Sequence, residues 1–431
     1  MTEDHIEQAV LETLSEMKWQ VLHGADIGPD GTGERDYHDT VLNNRLHSAL
    51  QRLNPHIPTP SLDEAFKRLV RVQQPTMLEN NQAFHELLVN GVPVEFRGPD
   101  GEIKNDRAKV IDFQTPANNE FVGVNQLTVL QGDCHRRPDV VLFVNGLPLV
   151  LIELKNAADS KADLDAAFRQ IQTYKREVSD FFRFNELCVI SDGHDAEMGT
   201  VSSPRERMMP WKTVDGEKEA GHVPMMDVLT RGVFDRTRLL DIIQNFIVFE
   251  RDDKDETRVI KKVAAYHQYW VVNKALQSTL RASSEDGDQK AGVVWHTQGS
   301  GKSLSMVFYT GKMMRSRELQ NPTIVVVTDR NDLDGQLFGT FSACRDLLGE
   351  DPKQANNRAD LRKLLDRNAG GIIFTTIQKF SPEGEEDTIP VLTDRRNVIV
   401  MADEAHRSQY GLKARIRESD AHLVYGYAKY M

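Results

Sequence analysis

Val293-Val294-Trp295-His296-Thr297-Gln298-Gly299-Ser300-Gly301-Lys302-Ser303 is the stretch on which the reading of this chain turns. Its first three residues predict a short buried strand and its glycines a loop. Leu304, Val307, Phe308 and Met313 then recur at the spacing of a helix. That order suits a triphosphate. Gly299 and Gly301, with Ser300 between them, let backbone N–H groups turn inward, and a helix N-terminus adds partial positive charge. Lys302 would reach the β- and γ-phosphates and the Ser303 hydroxyl would serve Mg²⁺. His296 stands where the pattern G-x-x-x-x-G-K-[ST] has its first glycine. Further on, an apolar run at Val398–Val400 leads into Met401-Ala402-Asp403-Glu404-Ala405-His406-Arg407. Asp403 at a strand end could hold Mg²⁺ through water, and Glu404 could orient the water that attacks the γ-phosphate. The cofactors expected are ATP and Mg²⁺.

Outward from this loop, strands are predicted at 293–295, 323–328, 371–375 and 397–402, with helices between them. Such alternation gives a parallel sheet covered on both faces. Upstream, eight of the nine residues from Glu250 to Arg258 are charged, which reads as a solvated linker. The domains expected are therefore 1–249, the linker 250–258, and 259–431. The first domain opens on a helix over 6–17, in which Asp4 and Glu7 have the spacing of a capping box. Further helices are expected at about 36–53, from about 62, and at about 236–249. Residues 121–130 read as strand.

The chain has 431 residues, 39% hydrophobic and 27% charged, enough for two or three domains with substantial cores. No apolar run approaches the length of a membrane-spanning helix, and the N-terminus has no basic, signal-like region. Three cysteines, widely spaced and odd in number, argue against a disulfide framework. A cytoplasmic protein is expected. The formal net charge of −12 runs against a free-standing DNA binder and points to a partner that holds the duplex.

In the first domain, Arg137 to Lys155 contains two β-branched apolar runs around Asn145-Gly146, a hairpin signal. Glu153 and Lys155, two apart, share one strand face. Whether Asp139 joins them depends on the turn. A two-residue loop would pair 139 with 152 and leave Glu153 on the other face, whereas a three-residue loop would pair 139 with 153. If Asp139 and Glu153 converge, they can hold Mg²⁺ beside a phosphodiester. Lys155 could then orient a water or stabilise charge in the transition state.

Pro138-Asp139 followed by Glu153-Leu154-Lys155 resembles the PD-(D/E)xK nuclease signature, and Gln170-Ile171-Gln172-Thr173-Tyr174 resembles the Q-x-x-x-Y element of one branch of it. That resemblance implies a restriction-endonuclease-like mixed-sheet domain, with Gln170 and Tyr174 facing the site and an acidic residue from the first helix, matched here by Glu7. The phosphate loop and Asp403-Glu404-Ala405-His406 together resemble superfamily 2 motors of the DEAD/DEAH kind, which implies a RecA-like lobe. Thr328-Asp329-Arg330 and Thr375-Thr376-Ile377-Gln378 look like inner motifs of such motors, and Gln268 sits where they carry an adenine-reading glutamine.

A nuclease followed by a DEAH motor is the order found in the restriction (R) subunit of type I restriction-modification enzymes. The local wording at 145–148, 295–303, 327–334 and 402–409 resembles that subunit too. The resemblance implies a type I site-specific deoxyribonuclease that reels in double-stranded DNA with ATP and cuts it away from the recognition site. Methyltransferase and specificity subunits are the implied partners. It also implies that a second motor lobe lies beyond residue 431, so that ATP hydrolysis by these residues alone is expected to be near background. A stand-alone ATP-dependent helicase or repair nuclease, and a non-catalytic ATP-binding subunit, are the competing readings.

Overall fold

The computed structural model describes residues 3–155, 164–221, 223–252, 255–328, 331–380, 391–404, 415–416 and 423–424. The chain divides into two compact units, Met1–His267 and Gln268–Met431. Among the described residues no helix is long and apolar enough to cross a membrane.

The first unit is built on a seven-stranded mixed sheet whose spatial order follows the chain. Its strands are β1 (Gln20–His23), β2 (Phe121–Asn125), β3 (Val140–Val144), β4 (Leu147–Leu154), β5 (Leu187–Ser191), β6 (Ala196–Gly199) and β7 (Met209–Pro210). β1 is parallel to β2 and β4 to β5, while the other neighbours are antiparallel. β3 and β4 are buried along their whole length, which is why both of their faces are apolar in sequence. Helix α1 (Glu3–Glu16) buries Ile6, Val10, Leu11 and Leu14. Helix α2 (Leu164–Glu177) sends Ala167, Ile171 and Tyr174 into a core shared with Val141, Phe143, Leu151 and Ile190. Glu153 follows Leu151 by two, so it lies on the face that α2 covers.

The hairpin turn resolves the pairing question in a third way. Asn145 and Gly146 form a two-residue loop, Val144 paired with Leu147, with φ of 50° and 82°. Positive φ at both positions is the mark of a type I′ turn. A Cβ on Gly146 would stand 2.6 Å from the Leu42 carbonyl oxygen, so the position needs glycine twice over. The register then shifts between Leu142 and Phe143, whose partners are Val150 and Pro148, and Leu149 is the extra residue of a bulge. Pro148 has no N–H to give to the ladder, and on the β5 side the Leu149 carbonyl accepts from Glu186 N at 2.7 Å. Beyond the bulge Val140 pairs with Ile152, which sets 139 against 153.

The charged run is not a linker. The helix expected to reach 249 ends at Asn245, and β8 (Ile247–Asp252) pairs antiparallel with β9 (Asp255–Val263). The β-branched and aromatic residues Ile247, Val248, Phe249, Val259, Ile260 and Val263 carry the ladder, and the charges cluster toward its turn end. Lys261, fully buried, ties the hairpin into the first unit through Glu186 Oε2 (2.6 Å), Asn81 Oδ1 (2.9 Å) and the Asn185 carbonyl (2.9 Å).

The second unit begins within the first turn of α3 (Tyr266–Ser283) and contains α4 (Lys302–Arg315). Its sheet has β10 (Thr323–Thr328), β11 (Lys353–Gln354), β12 (Ile372–Thr376) and β13 (Val398–Ala402), all parallel, in the order β11-β12-β10-β13. The restriction-endonuclease-like mixed sheet and the parallel α/β lobe expected from sequence are thus both present. Residues 293–295, expected as a strand, are not one. Val293 and Trp295 are about nine-tenths exposed, and no strand among the described residues receives their backbone groups. An apolar run becomes a strand only where a neighbouring edge satisfies its N–H and C=O groups.

Candidate active sites

Asp139 stands immediately before β3, and its side chain is aimed along the sheet toward the end of β4. Its Oδ2 accepts from Leu154 N at 2.7 Å. Glu153 is buried beside it, and its Oε1 accepts from Lys155 Nζ at 2.8 Å. The Lys155 ammonium also donates to the Leu154 carbonyl (2.7 Å) and lies 3.7 Å from Glu3 Oε1. Tyr174, reaching in from α2, places its hydroxyl 3.5 Å from Glu153 Oε1 and 3.4 Å from the Arg137 carbonyl. Gln170, one helical turn earlier on the same helix face, lies near enough to act on that hydroxyl. Asp139, Glu153, Lys155, Gln170 and Tyr174 therefore meet in one place.

The electrostatics of this cluster are adverse to two free anions. Burial, and then its neighbour Asp139, push Glu153 up to about 8. Burial pushes Asp139 up to about 6 against the pull of the Leu154 N–H and Lys155, with Glu3 and Glu7 adding repulsion. Lys155, which burial alone would lower, is raised by Glu153. Glu153 Oε2 is buried with no hydrogen-bond partner. A buried, unpaired carboxylate oxygen is costly, and a cation would satisfy it. Among the described residues no group of three or more His, Cys, Asp or Glu side chains gathers closely enough to hold a metal by itself. A metal here would rest on two carboxylates, with water or substrate phosphate completing its shell, as suits Mg²⁺.

Glu7 is not part of a capping box. Asp4 already lies within α1 rather than capping it, and the Glu7 carboxylate accepts instead from the side-chain amides of Asn125 (2.6 Å) and Gln126. Sequence reasoning missed both amides and also Glu3. Nothing in their spacing marks them, because the contacts form only when α1 packs across the end of β2.

In the second unit, Gly301 takes φ 82° and caps α4, as a phosphate-binding turn requires. Gln268 Nε2 donates to the Gly301 carbonyl at 3.0 Å, and a Cβ on Gly301 would meet that nitrogen at 2.7 Å. The buried Gln268 amide thus braces the phosphate loop itself. Ser300 Oγ donates to the Thr297 carbonyl (2.6 Å) and lies 3.0 Å from His296 Nδ1. Since the hydroxyl hydrogen is used on Thr297, the ring is the donor in that contact. Gly299, at φ 80°, faces open space.

Lys302 Nζ is 2.7 Å from both Asp403 Oδ1 and Glu404 Oε1, and these contacts outweigh its partial burial and raise its pKa. Asp403 N donates to the Val327 carbonyl (2.9 Å), which seats the acidic pair at the C-terminal ends of β13 and β10, and Ser303 lies half-buried in the first turn of α4. Glu404 has φ 49°, a conformation rarely taken by residues other than glycine and common at functional sites. Thr328 and Thr376 pair across β10 and β12 at the same end of the sheet. Asp329, Arg330, Ala405 to Gln409 and 425–431 lie outside the described residues.

Two family models match the chain. Residues 1–207 match the type I restriction enzyme R protein N terminus, and residues 267–427 match the SWI2/SNF2 ATPase. The chain is 44% identical over its whole length to the HindI type I restriction enzyme endonuclease subunit of Haemophilus influenzae, covering 41% of that protein. It is 31% identical, over 96% of its length, to a Methanocaldococcus jannaschii protein bearing the name of the MjaIXP type I restriction enzyme endonuclease subunit, again covering 41% of it. Over 86% of its length it is 26% identical to the SauCOLORF180P type I restriction enzyme endonuclease subunit of Staphylococcus aureus, of which it covers 37%. The chain spans about two fifths of the length of the relatives it matches.

Proposed function

We propose that the chain belongs to the type I restriction enzyme R protein family and carries the DNA-cleaving site and the nucleotide cradle of an ATP-dependent restriction endonuclease. In this reading the whole enzyme translocates double-stranded DNA with ATP and cuts it away from the recognition site. Methyltransferase and specificity subunits hold that site, which fits the acidity of this chain, and the work is done in the cytoplasm. The observation that carries the reading is the buried, unpartnered Glu153 Oε2 beside Asp139 and within one side chain of the Lys155 ammonium. That arrangement has no use as packing, and it suits a divalent cation.

Asp139 and Glu153 would hold Mg²⁺, whose chemistry when bound is to polarise a phosphoryl oxygen and acidify a water. Lys155 keeps its ammonium at the same edge, where it can orient a water or offset charge on the phosphorane-like transition state. Tyr174, steadied by Gln170, restricts the Glu153 carboxylate, and Glu7 adds negative potential from α1. In the second unit Gly299, Ser300, Gly301 and Lys302 would cradle the triphosphate, and Ser303 and Asp403 would hold its Mg²⁺. Gln268 braces the loop, and Glu404 would orient the attacking water once a triphosphate takes over the Lys302 ammonium.

The test is duplex cleavage in the presence of ATP and Mg²⁺, with and without the methyltransferase and specificity subunits. Cleavage that requires the complete assembly, both small cofactors and an intact Glu153 is the expected result. Cleavage that persists in Glu153→Gln would remove the nuclease assignment.

A further inference from the structure

We infer that Asn125 and Gln126 are positioning residues of the nuclease site, fixing the Glu7 carboxylate so that its charge contributes to cation binding. The inference rests on the reading of Asp139 and Glu153 as a metal site. β2 stops pairing with β3 at Asn125, opposite Val140, and Gln126 then turns into the left-handed region at φ 52°. The turn is braced from two sides. Gln126 N donates to the Asp139 carbonyl at 2.8 Å, and Gly24 packs so closely that a Cβ there would stand 2.4 Å from the Gln126 carbonyl oxygen.

This conformation sends two successive side-chain amides to one carboxylate. Asn125 Nδ2 donates to Glu7 Oε1 at 2.6 Å and Gln126 Nε2 donates to Glu7 Oε2. Each oxygen receives one donor and keeps acceptor capacity. Glu7 is nine-tenths buried, and its charge is felt at Asp139, in a corner that already holds two other carboxylates. A helix that needed only packing would place a neutral side chain here. Retaining a third buried anion, and holding it rigidly through a strained backbone, makes sense where the summed negative potential attracts a cation. The same dipeptide touches Glu7 through its side chains and Asp139 through its backbone, so it couples α1 to the end of β3.

The test is Mn²⁺ binding to the whole 431-residue chain without nucleotide, by titration calorimetry, beside melting curves in chelator. For the double variant Asn125→Ala/Gln126→Ala we expect Mn²⁺ affinity to fall about tenfold in a chain that still folds, with the metal-free melting temperature lowered because the buried Glu7 carboxylate loses both donors. Glu7→Gln should reproduce that loss, and adding the double substitution to Glu7→Gln should cost nothing further, because all three act through one charge. Should the double variant not fold, Gln126→Met, which keeps length but lacks the donor, carries the same test with a smaller expected loss. Parental affinity in these variants while Glu153→Gln loses binding would overturn the inference and leave the metal site standing. Parental affinity in Glu153→Gln as well would overturn both.

Discussion

The two candidate sites are built in opposite ways. In the first unit the reactive groups sit on, or one residue beyond, two fully buried strands of the sheet, and their positions follow from a turn, a bulge and a register. In the second unit they sit on a loop and the first turn of α4, and just past the C-terminal ends of parallel strands, partly exposed, with Lys302 shared between Asp403 and Glu404. The first arrangement suits a cation whose ligands must be stiff and close together. The second suits a ligand that enters, displaces a salt bridge and leaves again. Burial thus raises the carboxylate pKa values strongly at one site, while at the other the groups satisfy one another.

If that contrast is correct, the sites should fail differently. Lys302→Ala removes the only lysine of the phosphate loop, and ATP turnover by the assembled enzyme should fall by about 10²–10³ or more, judged from the loss of one charged donor to a transition state. Distant cleavage should fall with it. Normal ATP turnover in this variant would break the assignment of the loop.

The next largest effect is on metal-free stability. A carboxyl raised in the folded protein stabilises it fully below its ordinary value and less as pH rises through the folded value. For Glu153 that window runs from about 4.5 to about 8, with Asp139 contributing from 3.8 to about 6. In chelator, Glu153→Gln should therefore gain stability relative to the parent as pH rises across this range, and saturating Mg²⁺ should shrink the difference. Urea unfolding at the two ends of the window measures it. A pH-independent difference would mean that burial and Asp139 do not raise the Glu153 carboxyl in the folded protein.

These expectations separate what the sequence makes legible from what it does not. Both proposed chemistries can be read in Asp139, Glu153-Leu154-Lys155, Gly299 to Ser303 and Asp403-Glu404, because phosphate and metal chemistry demand particular residue types at short spacing. The geometry of the first site is less visible. Asn145-Gly146 points to a two-residue turn, and that turn alone would put Asp139 and Glu153 on opposite faces. The bulge at Leu149 reverses the outcome, and although Pro148 beside it is legible in the sequence as a residue without an N–H for the ladder, spacing alone does not say that the register shifts there. Charge density at 250–258 conceals a hairpin because its anchor, the buried Lys261, meets Glu186 and Asn81 from distant segments. The role of Glu7 is hidden in the same way, since Asn125 and Gln126 lie more than a hundred residues from it.

Two smaller effects sharpen the comparison. Gly146→Ala should destabilise the first unit by about 1–3 kcal/mol, since alanine is strained at φ 82° and meets the Leu42 carbonyl. An unchanged melting temperature would contradict the tight turn. Trp295→Ser should change stability by no more than about 0.5 kcal/mol, because the ring is exposed. A loss of several kcal/mol would show that 293–295 is a core strand after all.

The central claim is that one chain carries two separate chemistries, cleavage in 1–267 and nucleotide handling in 268–431. Lys155→Ala addresses it most directly, with ATP turnover and duplex cleavage measured side by side in the assembled enzyme. ATP turnover at the parental rate with cleavage abolished is the result this account predicts. Loss of ATP turnover in a folded Lys155→Ala protein, or cleavage that survives the substitution, would contradict it.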